Sequence, residues 1–217
     1  MSQYGKPRGF FGKVLARGMA WGHKDFYKNA ARILDLQKED DLLEIGFGSG
    51  MFIKKYASHA SRIRGVDYSE DMVRMASDIN RSLVEEGRAE FIRGNVSSLP
   101  WGDNEFSAAV AIETFFFWEE PERSLKEIYR VLAPGGRFVL EMAYNNDDGL
   151  DHTKHIEKMN LRLYGASEVS NLLERAGFSD VNIEYYKGFW LPFKGHVVPR
   201  GMIASAFKKV EQLDIKK

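Results

Sequence analysis

Short apolar segments alternate with helical segments along most of the chain, and this alternation limits the fold more than any other feature. The segments DLLEIG, RIRGVD, AEFIRGN, EFSAAVAIE and RFVLEM are predicted strands, and amphipathic helices are predicted after most of them. Parallel strands need a long crossover, whereas antiparallel neighbours can be joined by a short turn. The pattern therefore predicts an α/β fold with a doubly wound, mostly parallel sheet.

The strands DVNIEYYKGFW and RGMIASAFKKV follow the predicted helix SEVSNLLERAGF and bring the sheet to seven strands. Ser69 is a predicted helix cap, and Pro121 lies in the first turn of another helix. We expect one domain over 1–217, with N-terminal helices that form a lid in 1–35 and the central strands in 36–143. Residues 144–165 are then an insertion or lid, and 166–217 supply the last helix and strands.

Composition excludes several classes of function. Lys+Arg and Asp+Glu both number 31, so no overall positive field favours nucleic acid or an anionic membrane. The chain has no cysteine, which excludes disulfides, thiolate metal sites and cysteine nucleophiles. We expect a soluble, cytoplasmic protein without stable membrane insertion, because no apolar run approaches the ~20 residues of a spanning helix and no signal-peptide pattern is present.

Three glycines, Gly46, Gly48 and Gly50, follow the first predicted strand directly. At the carboxyl end of a strand in a doubly wound sheet, such a loop can approach a ligand closely, although ordinary tight turns use glycine too. The dinucleotide pattern G-x-G-x-x-G is not present, because Met51 occupies its last position. Asp67 ends the second strand, where a carboxylate can accept hydrogen bonds from ribose hydroxyls. The spacing indicates a ligand with a ribose but without a pyrophosphate.

Four segments in succession carry a family resemblance: LLEIGFGSG, GVDYSEDMV, GNVSSLPWGDNEFSAAVAIETFFFW and EIYRVLAPGGRFVL. They resemble the motifs of class I S-adenosylmethionine-dependent methyltransferases, most of all the small-molecule branch of the type 11 kind. The resemblance implies the Rossmann-like methyltransferase fold and S-adenosyl-L-methionine as cofactor. Residues 36–143 would be the cofactor-binding core, and the chain would be an enzyme.

The resemblance also assigns cofactor contacts by position. The glycine loop would approach the methionine part, the ribose would bind to Asp67, and Tyr68 would lie against the adenine. The family usually has an acidic residue where this chain has Asn95, so we expect a weaker contact with the adenine amino group. The complete set of predicted cofactor residues is Glu44, Gly46, Gly48, Gly50, Asp67, Tyr68, Asn95, Val96 and Ile112.

An aromatic run, Phe115 to Trp118, follows the fourth predicted strand. Because side chains alternate along a strand, we expect some of these rings to face the cleft. Phe115, Phe116 and Trp118 are the predicted acceptor pocket, which favours a small apolar or aromatic methyl acceptor. Packing in the core under the next helix is the alternative.

Methyl transfer from a sulfonium needs alignment, exclusion of water and, for some acceptors, removal of a proton. His23, Glu113 and His152 are the candidate catalytic residues. The spacing of His152 and His155 also fits a metal site, but a neighbouring carboxylate such as Asp151 is common in a loop by chance, and we expect no metal.

Three questions stay open in the sequence. Basic and aromatic residues in 6–28 predict either a helix over the active site or a peripheral contact with a membrane surface. A non-catalytic sensor of S-adenosylmethionine would have the same cofactor motifs as an enzyme, whereas a nicotinamide oxidoreductase is disfavoured by Met51. The sequence specifies no oligomeric state.

Overall fold

A computed structural model describes residues 24–187, 190–191, 196–197 and 200–210. The first predicted helix and His23 lie outside the described residues, as do most of the basic and aromatic positions of the N-terminal segment. The predicted helix FYKNAARILDL is present as α1, Lys24–Leu34.

A seven-stranded sheet forms the centre of the molecule, as the sequence predicts. The strands are β1 Asp41–Ile45, β2 Arg62–Asp67, β3 Ala89–Arg93, β4 Phe106–Ile112, β5 Leu132–Met142, β6 Ser179–Lys187 and β9 Arg200–Phe207, with a separate pair β7 Trp190–Leu191 and β8 His196–Val197. The strand order in the sheet is β3-β2-β1-β4-β5-β9-β6; β9 runs antiparallel to both of its neighbours, and the other pairs are parallel. The order reverses between β1 and β4, which is where ligands bind in such sheets.

Helices cover both faces of the sheet. After α1 they are α2 Glu70–Ile79, α3 Arg81–Glu85, α4 Pro121–Val131, α5 Thr153–Met159 and α6 Ala166–Ala176, and a π-helical turn spans Ile53–Ala57. The single helix predicted from Ser69 to Glu85 is interrupted at Asn80. The side chain of Asn80 is buried and donates hydrogen bonds to the carbonyls of Gly50 and Ala76, both at 3.0 Å. This interruption therefore ties the second helix to the glycine loop.

Alternate residues of the central strands pack into two cores. Leu42, Val110 and Val139 face α1 and the segment after β1, whereas Leu43, Ala109 and Phe138 face α4 and α6. Burial on both faces is typical of a parallel sheet between helices. The face toward α1 contains the polar groups described below.

Arg137 on β5 fixes the end of α1. Its guanidinium donates to the carbonyls of Leu34 and Asp35 and pairs with the buried carboxylate of Asp40. Burial alone would raise the pKa of Asp40, but hydrogen bonds from Arg137, Ser107 and Gln37 outweigh it and hold that pKa below its ordinary value. The carboxyl end of α1 is therefore attached to the sheet by hydrogen bonds from Arg137, which its partly buried ion pair with Asp40 holds in place.

Two further local predictions differ from the structure. The APGG segment lies within β5, which begins at Leu132 and is irregular opposite Phe106. The aromatic run does not extend β4 but forms a 3-10 turn, Phe115–Phe117. The segment 144–165 contains α5 and buries Asn145 and Tyr164 completely. No helix in the described part of the chain is long and apolar enough to cross a bilayer.

Candidate active site

The glycine loop after β1 has a backbone that requires glycine. Gly46, Gly48 and Gly50 have φ values of 68°, 52° and 74°. A Cβ on Gly46 would lie 2.6 Å from Thr114 Oγ1, and one on Gly50 would lie 2.7 Å from Asn80 Nδ2. A Cβ on Gly48 would meet no atom within 4 Å. The loop is thus packed at both ends and open in the middle, where a ligand can approach the backbone.

Asp67 joins this loop to the end of β2. Its Oδ2 accepts a hydrogen bond from the Gly48 N–H at 2.9 Å, and its Oδ1 accepts one from the Ser69 N–H, also at 2.9 Å. The predicted cap Ser69 precedes α2, but its side chain makes no capping hydrogen bond. Burial raises the pKa of Asp67 to about 6 despite these hydrogen bonds. The backbone N–H of Tyr68 also donates to this carboxylate. A carboxylate has about four acceptor positions, so Asp67 keeps room for a further hydroxyl.

Glu44 lies on β1 beneath the loop and is almost completely buried. Its Oε2 has no hydrogen-bond partner among the described residues. Burial raises the pKa of Glu44 well above its ordinary value, and the nearby Asp67 carboxylate raises it further. A buried carboxyl oxygen without a donor is costly, which indicates that a bound group supplies the donor.

Tyr68 and Asn95 lie on the other side of Asp67, at the ends of β2 and β3. The ring of Tyr68 is 41% exposed and thus offers an aromatic surface beside the loop. Asn95 is exposed, and its Oδ1 accepts a hydrogen bond from the Ser97 N–H at 3.0 Å. One acceptor position of this amide is therefore occupied within its own turn, and Val96 beside it is buried. The adenine contacts assigned to these residues remain predictions.

The end of β4 contributes Ile112 and Glu113. Ile112 is buried on the face toward α1. Glu113 has a φ of 57°, which is uncommon for a residue other than glycine, and such backbone occurs preferentially at functional sites. This backbone lets its N–H donate to the Glu141 carbonyl at 3.0 Å while its Oε1 accepts from the Ala143 N–H.

Phe115, Phe116 and Trp118 are all buried in the core on the α4 and α6 face. Phe115 lies 4.5 Å from the ring of Tyr164 and 4.9 Å from that of Trp118. The expectation that strand alternation turns some rings toward the cleft is wrong in its premise, because the segment is a 3-10 turn. These rings form the wall behind Thr114, which contacts the glycine loop.

His152 precedes α5 and is paired with an acid. Its Nε2 lies 2.8 Å from Asp148 Oδ2, and both side chains are nearly inaccessible. The ring also contacts Tyr144, at 5.6 Å between centroids, just beyond the end of β5. His152 is thereby brought to the same edge of the sheet as Glu113. The side chain of His155 lies outside the described set, so the metal site is not tested.

The structure adds a buried group that sequence patterns did not reveal. The hydroxyl of Tyr186 on β6 donates to Oε1 of Glu141 on β5. Burial raises the pKa of Glu141 well above its ordinary value, and the Glu113 carboxylate raises it further. Burial also raises the pKa of Tyr27 on α1, as do Glu44, Glu141 and Glu113. The sequence signal was a single acidic residue after the apolar residues of the strand RFVLEM.

Comparisons with known proteins agree with this geometry. Residues 43–140 match the family model described as Methyltransferase domain. The chain is 24% identical over 155 residues to the uncharacterized methyltransferase YdaC of Bacillus subtilis, an alignment that covers 70% of this chain and 78% of YdaC. It is also 24% identical to sterol 4-C-methyltransferase strm-1 of Caenorhabditis elegans, over 70% of this chain and 45% of the relative. It is 26% identical to O-methyltransferase cnsE of Penicillium expansum, over 66% and 54%. The chain thus spans about half the length of the last two relatives.

Solved structures share the fold. A chain from the complex between the Haloferax volcanii Trm112 methyltransferase activator and a methyltransferase superposes with a TM-score of 0.72 at 21% identity, over 93% of this chain and 99% of that one. A SAM-dependent methyltransferase of Thermotoga maritima superposes with a TM-score of 0.68 at 25% identity, over 90% and 92%.

The described residues fit the cofactor of these proteins. The space at Gly48 admits a ligand against the loop, Asp67 retains acceptor capacity, and the unpartnered oxygen of Glu44 lies beneath them. The sheet order, the loop and the matched motifs agree in pointing to one cofactor, S-adenosylmethionine. Residues 43–140 thus match a methyltransferase domain of the type 11 kind, and the chain is an S-adenosylmethionine-dependent methyltransferase.

Proposed function

We propose that this methyltransferase transfers the methyl group to a small apolar or aromatic acceptor. The observation that supports the proposal most directly is the apolar backing of Thr114 at the glycine loop: Phe115, Phe116 and Trp118 pack behind it in the core and do not themselves face a cleft. Relatives named as a sterol methyltransferase and an O-methyltransferase are consistent with an acceptor of this kind. A pocket with apolar walls and few polar groups is typical of small-molecule sites.

The chain's own residues bind and orient the reactants. S-adenosylmethionine supplies an electrophilic methyl group on a positively charged sulfur. In this proposal the open backbone at Gly48 and the carboxyl of Glu44 hold the methionine part, and Asp67 holds the ribose. α1 packs on the sheet face that contains Glu44 and Glu141 and limits the access of water to it. Holding the reactants in a fixed geometry before reaction favours in-line transfer.

Two described groups can accept a proton from the acceptor. The Asp148 carboxylate fixes the orientation of the His152 ring, and an oriented imidazole can act as a general base. Glu113 is held at the end of β4 by its contact with the Ala143 N–H. We propose His152 as the proton acceptor for acidic acceptors such as phenols, with Glu113 as a contact for the acceptor. His23, the third candidate, lies outside the described residues.

Transfer to a panel of small acceptors tests the proposal. The panel pairs apolar or aromatic molecules with polar ones of similar size, and release of S-adenosylhomocysteine measures transfer. We expect turnover with members of the apolar set, and slower turnover of phenols by His152→Gln than by a His59→Gln control at the exposed His59. Tight binding of the cofactor with no transfer to any acceptor would instead favour a sensor, and transfer to polar acceptors alone would contradict the apolar assignment.

A further inference from the structure

Glu141 is fully buried, yet only one of its two carboxyl oxygens has a hydrogen-bond partner among the described residues. Its Oε1 accepts from the Tyr186 hydroxyl, whereas its Oε2 has no partner among the described residues. Among the residues that the structure describes, the groups that act on its charge are Glu113, which repels it, and Tyr186. Neither is a cation. A buried carboxyl group in this state costs free energy that a bound donor or positive charge would recover.

The surroundings of Glu141 are acidic and phenolic. After burial itself, the carboxylates of Glu141, Glu113 and Asp25 raise the pKa of the Tyr186 hydroxyl. Burial and the same two glutamates also raise the pKa of Tyr27 on α1. We call Glu113, Glu141 and Tyr186 the acid–phenol site. The described residues contain no group of three or more side chains able to hold a metal ion. The chemistry therefore suits an organic cation or an N–H donor.

This site is separate from the predicted position of the cofactor's methionine part. In the strand register Glu44 lies opposite Val110, and Val110 lies opposite Val139. Glu141 is thus two strands away from Glu44 and two residues nearer the carboxyl end, a separation of roughly 12 Å from the strand spacing and rise. It lies on the acceptor side of β4, on the same face as α1.

Tyr186 reaches Glu141 only because of a glycine between them. β9 lies between β5 and β6 in the sheet, and Gly201 of β9 is opposite Tyr186. A Cβ on Gly201 would overlap the Tyr186 ring. The phenol therefore lies flat over the middle strand and fixes one carboxyl oxygen, so that the other oxygen has a defined direction.

We infer that the acid–phenol site binds an amino group of the methyl acceptor. An amine supplies both features that the site lacks, an N–H donor for Glu141 Oε2 and a positive charge among acids. The inference rests on the proposed function and narrows its acceptors to apolar or aromatic molecules that carry an amine. It concerns recognition and does not assign the methylated atom.

Calorimetric binding to protein saturated with S-adenosylhomocysteine tests the inference, with 2-phenylethylamine, benzylamine and tryptamine compared with their alcohol analogues. We expect at least one amine to bind about tenfold tighter than its alcohol. Glu141→Gln should remove that preference, and Tyr186→Phe should reduce it. The matched control is Glu184→Gln, an exposed acid on β6 that pairs with Arg32, and it should retain the preference.

The outcomes separate this inference from the proposed function. Loss of S-adenosylhomocysteine binding in Glu141→Gln would place the carboxyl group with the cofactor and overturn the inference. Equal affinity for every amine and alcohol pair, failure of all three amines to bind, or an amine preference that survives Glu141→Gln would overturn it too. Methyl transfer to neutral apolar acceptors would then still uphold the proposed function.

Discussion

The hydroxyl of Tyr186 donates to the carboxyl group of Glu141 across an intervening strand. Side chains on strands that are not adjacent in a sheet are normally too far apart to bond, since each strand adds about 4.8 Å. The contact depends on Gly201, which leaves the surface of β9 bare. Three strands are therefore joined at this level of the sheet by one phenol.

Gly201→Ala should displace the Tyr186 ring and break its hydrogen bond. We expect a loss of roughly 2 to 3 kcal/mol in the free energy of unfolding, because the added methyl group overlaps the ring. Urea denaturation in a double-mutant cycle with Tyr186→Ala measures the coupling. In the Tyr186→Ala background the Gly201→Ala change should cost under about 1 kcal/mol, and equal costs in both backgrounds would refute the contact.

Glu141→Gln should make the protein more stable at neutral pH. The folded pKa of Glu141 lies well above its ordinary value of 4.5, so the folded state disfavours the ionised form. Wild-type stability is then fully present below the unfolded pKa and falls as the pH rises from there toward the folded pKa. The variant lacks this loss, and we expect it to gain about 1 to 3 kcal/mol near pH 7.

The measurement for Glu141→Gln is denaturation at about pH 5 and about pH 8, with Glu184→Gln as control. The advantage of the variant should grow with pH. A constant difference across this range would mean that the charge on Glu141 is compensated in the folded protein.

Asp67→Asn should weaken binding of S-adenosylhomocysteine by about 100-fold or more, because an amide cannot replace the charge-assisted hydrogen bonds of the carboxylate. In the wild type the ligand favours the ionised form of Asp67, and burial raises the pKa of Asp67 to about 6 in the protein without ligand. Affinity should therefore fall by up to about tenfold for each pH unit below that value. Calorimetry over pH measures both effects.

The variant Asp67→Asn should show no such decline in affinity on acidification. Asp78→Asn, which changes an exposed acid of α2 paired with Arg81, is the control and should bind like wild type. Wild-type affinity in Asp67→Asn would exclude this carboxylate as the ribose ligand.

Alanine substitutions in the glycine loop should separate stability from binding. Each forces a positive φ and costs about 1 to 2 kcal/mol. Gly46→Ala and Gly50→Ala should cost more, because their methyl groups also meet Thr114 and Asn80. Gly48→Ala meets nothing and should remain well folded while losing affinity for the cofactor. Thermal unfolding and calorimetry together check this order, and unchanged affinity in Gly48→Ala would place the cofactor elsewhere.

The sequence predicts the strands of the sheet well, because the apolar pattern that marks each strand lies within a few consecutive residues. The runs DLLEIG and RIRGVD contain the buried apolar residues Leu42, Leu43, Ile63 and Val66, as strands covered on both faces do, and glycines with Asp67 mark their carboxyl ends. The bounds of these two strands followed from the runs and from the helices around them. The glycine loop and Asp67 were predictable at this edge for the same reason, and their contacts with the cofactor remain predictions.

The acid–phenol site was not predictable because its parts are distant in sequence. Glu141 and Tyr186 are 45 positions apart, and their contact needs a glycine on a third strand. The aromatic run was misplaced for a related reason: a strand pattern gives no sign that the chain turns after Ile112. His152 was a candidate from its residue type alone, whereas its pairing with Asp148 emerges only from the fold of 144–165.

The attachment of α1 through Arg137 has a mechanical consequence. The helix is fastened at its carboxyl end, near the amino edge of the sheet, while Tyr27 lies close to its beginning at the opposite edge. Over 11 residues the helix extends about 16 Å, so a tilt of a few degrees at Leu34 moves the far end by more than about 1 Å. A change in the tilt of α1 about its Arg137 anchor would therefore displace Tyr27 most, and the pKa of Tyr27 responds to Glu44, Glu141 and Glu113 after burial itself.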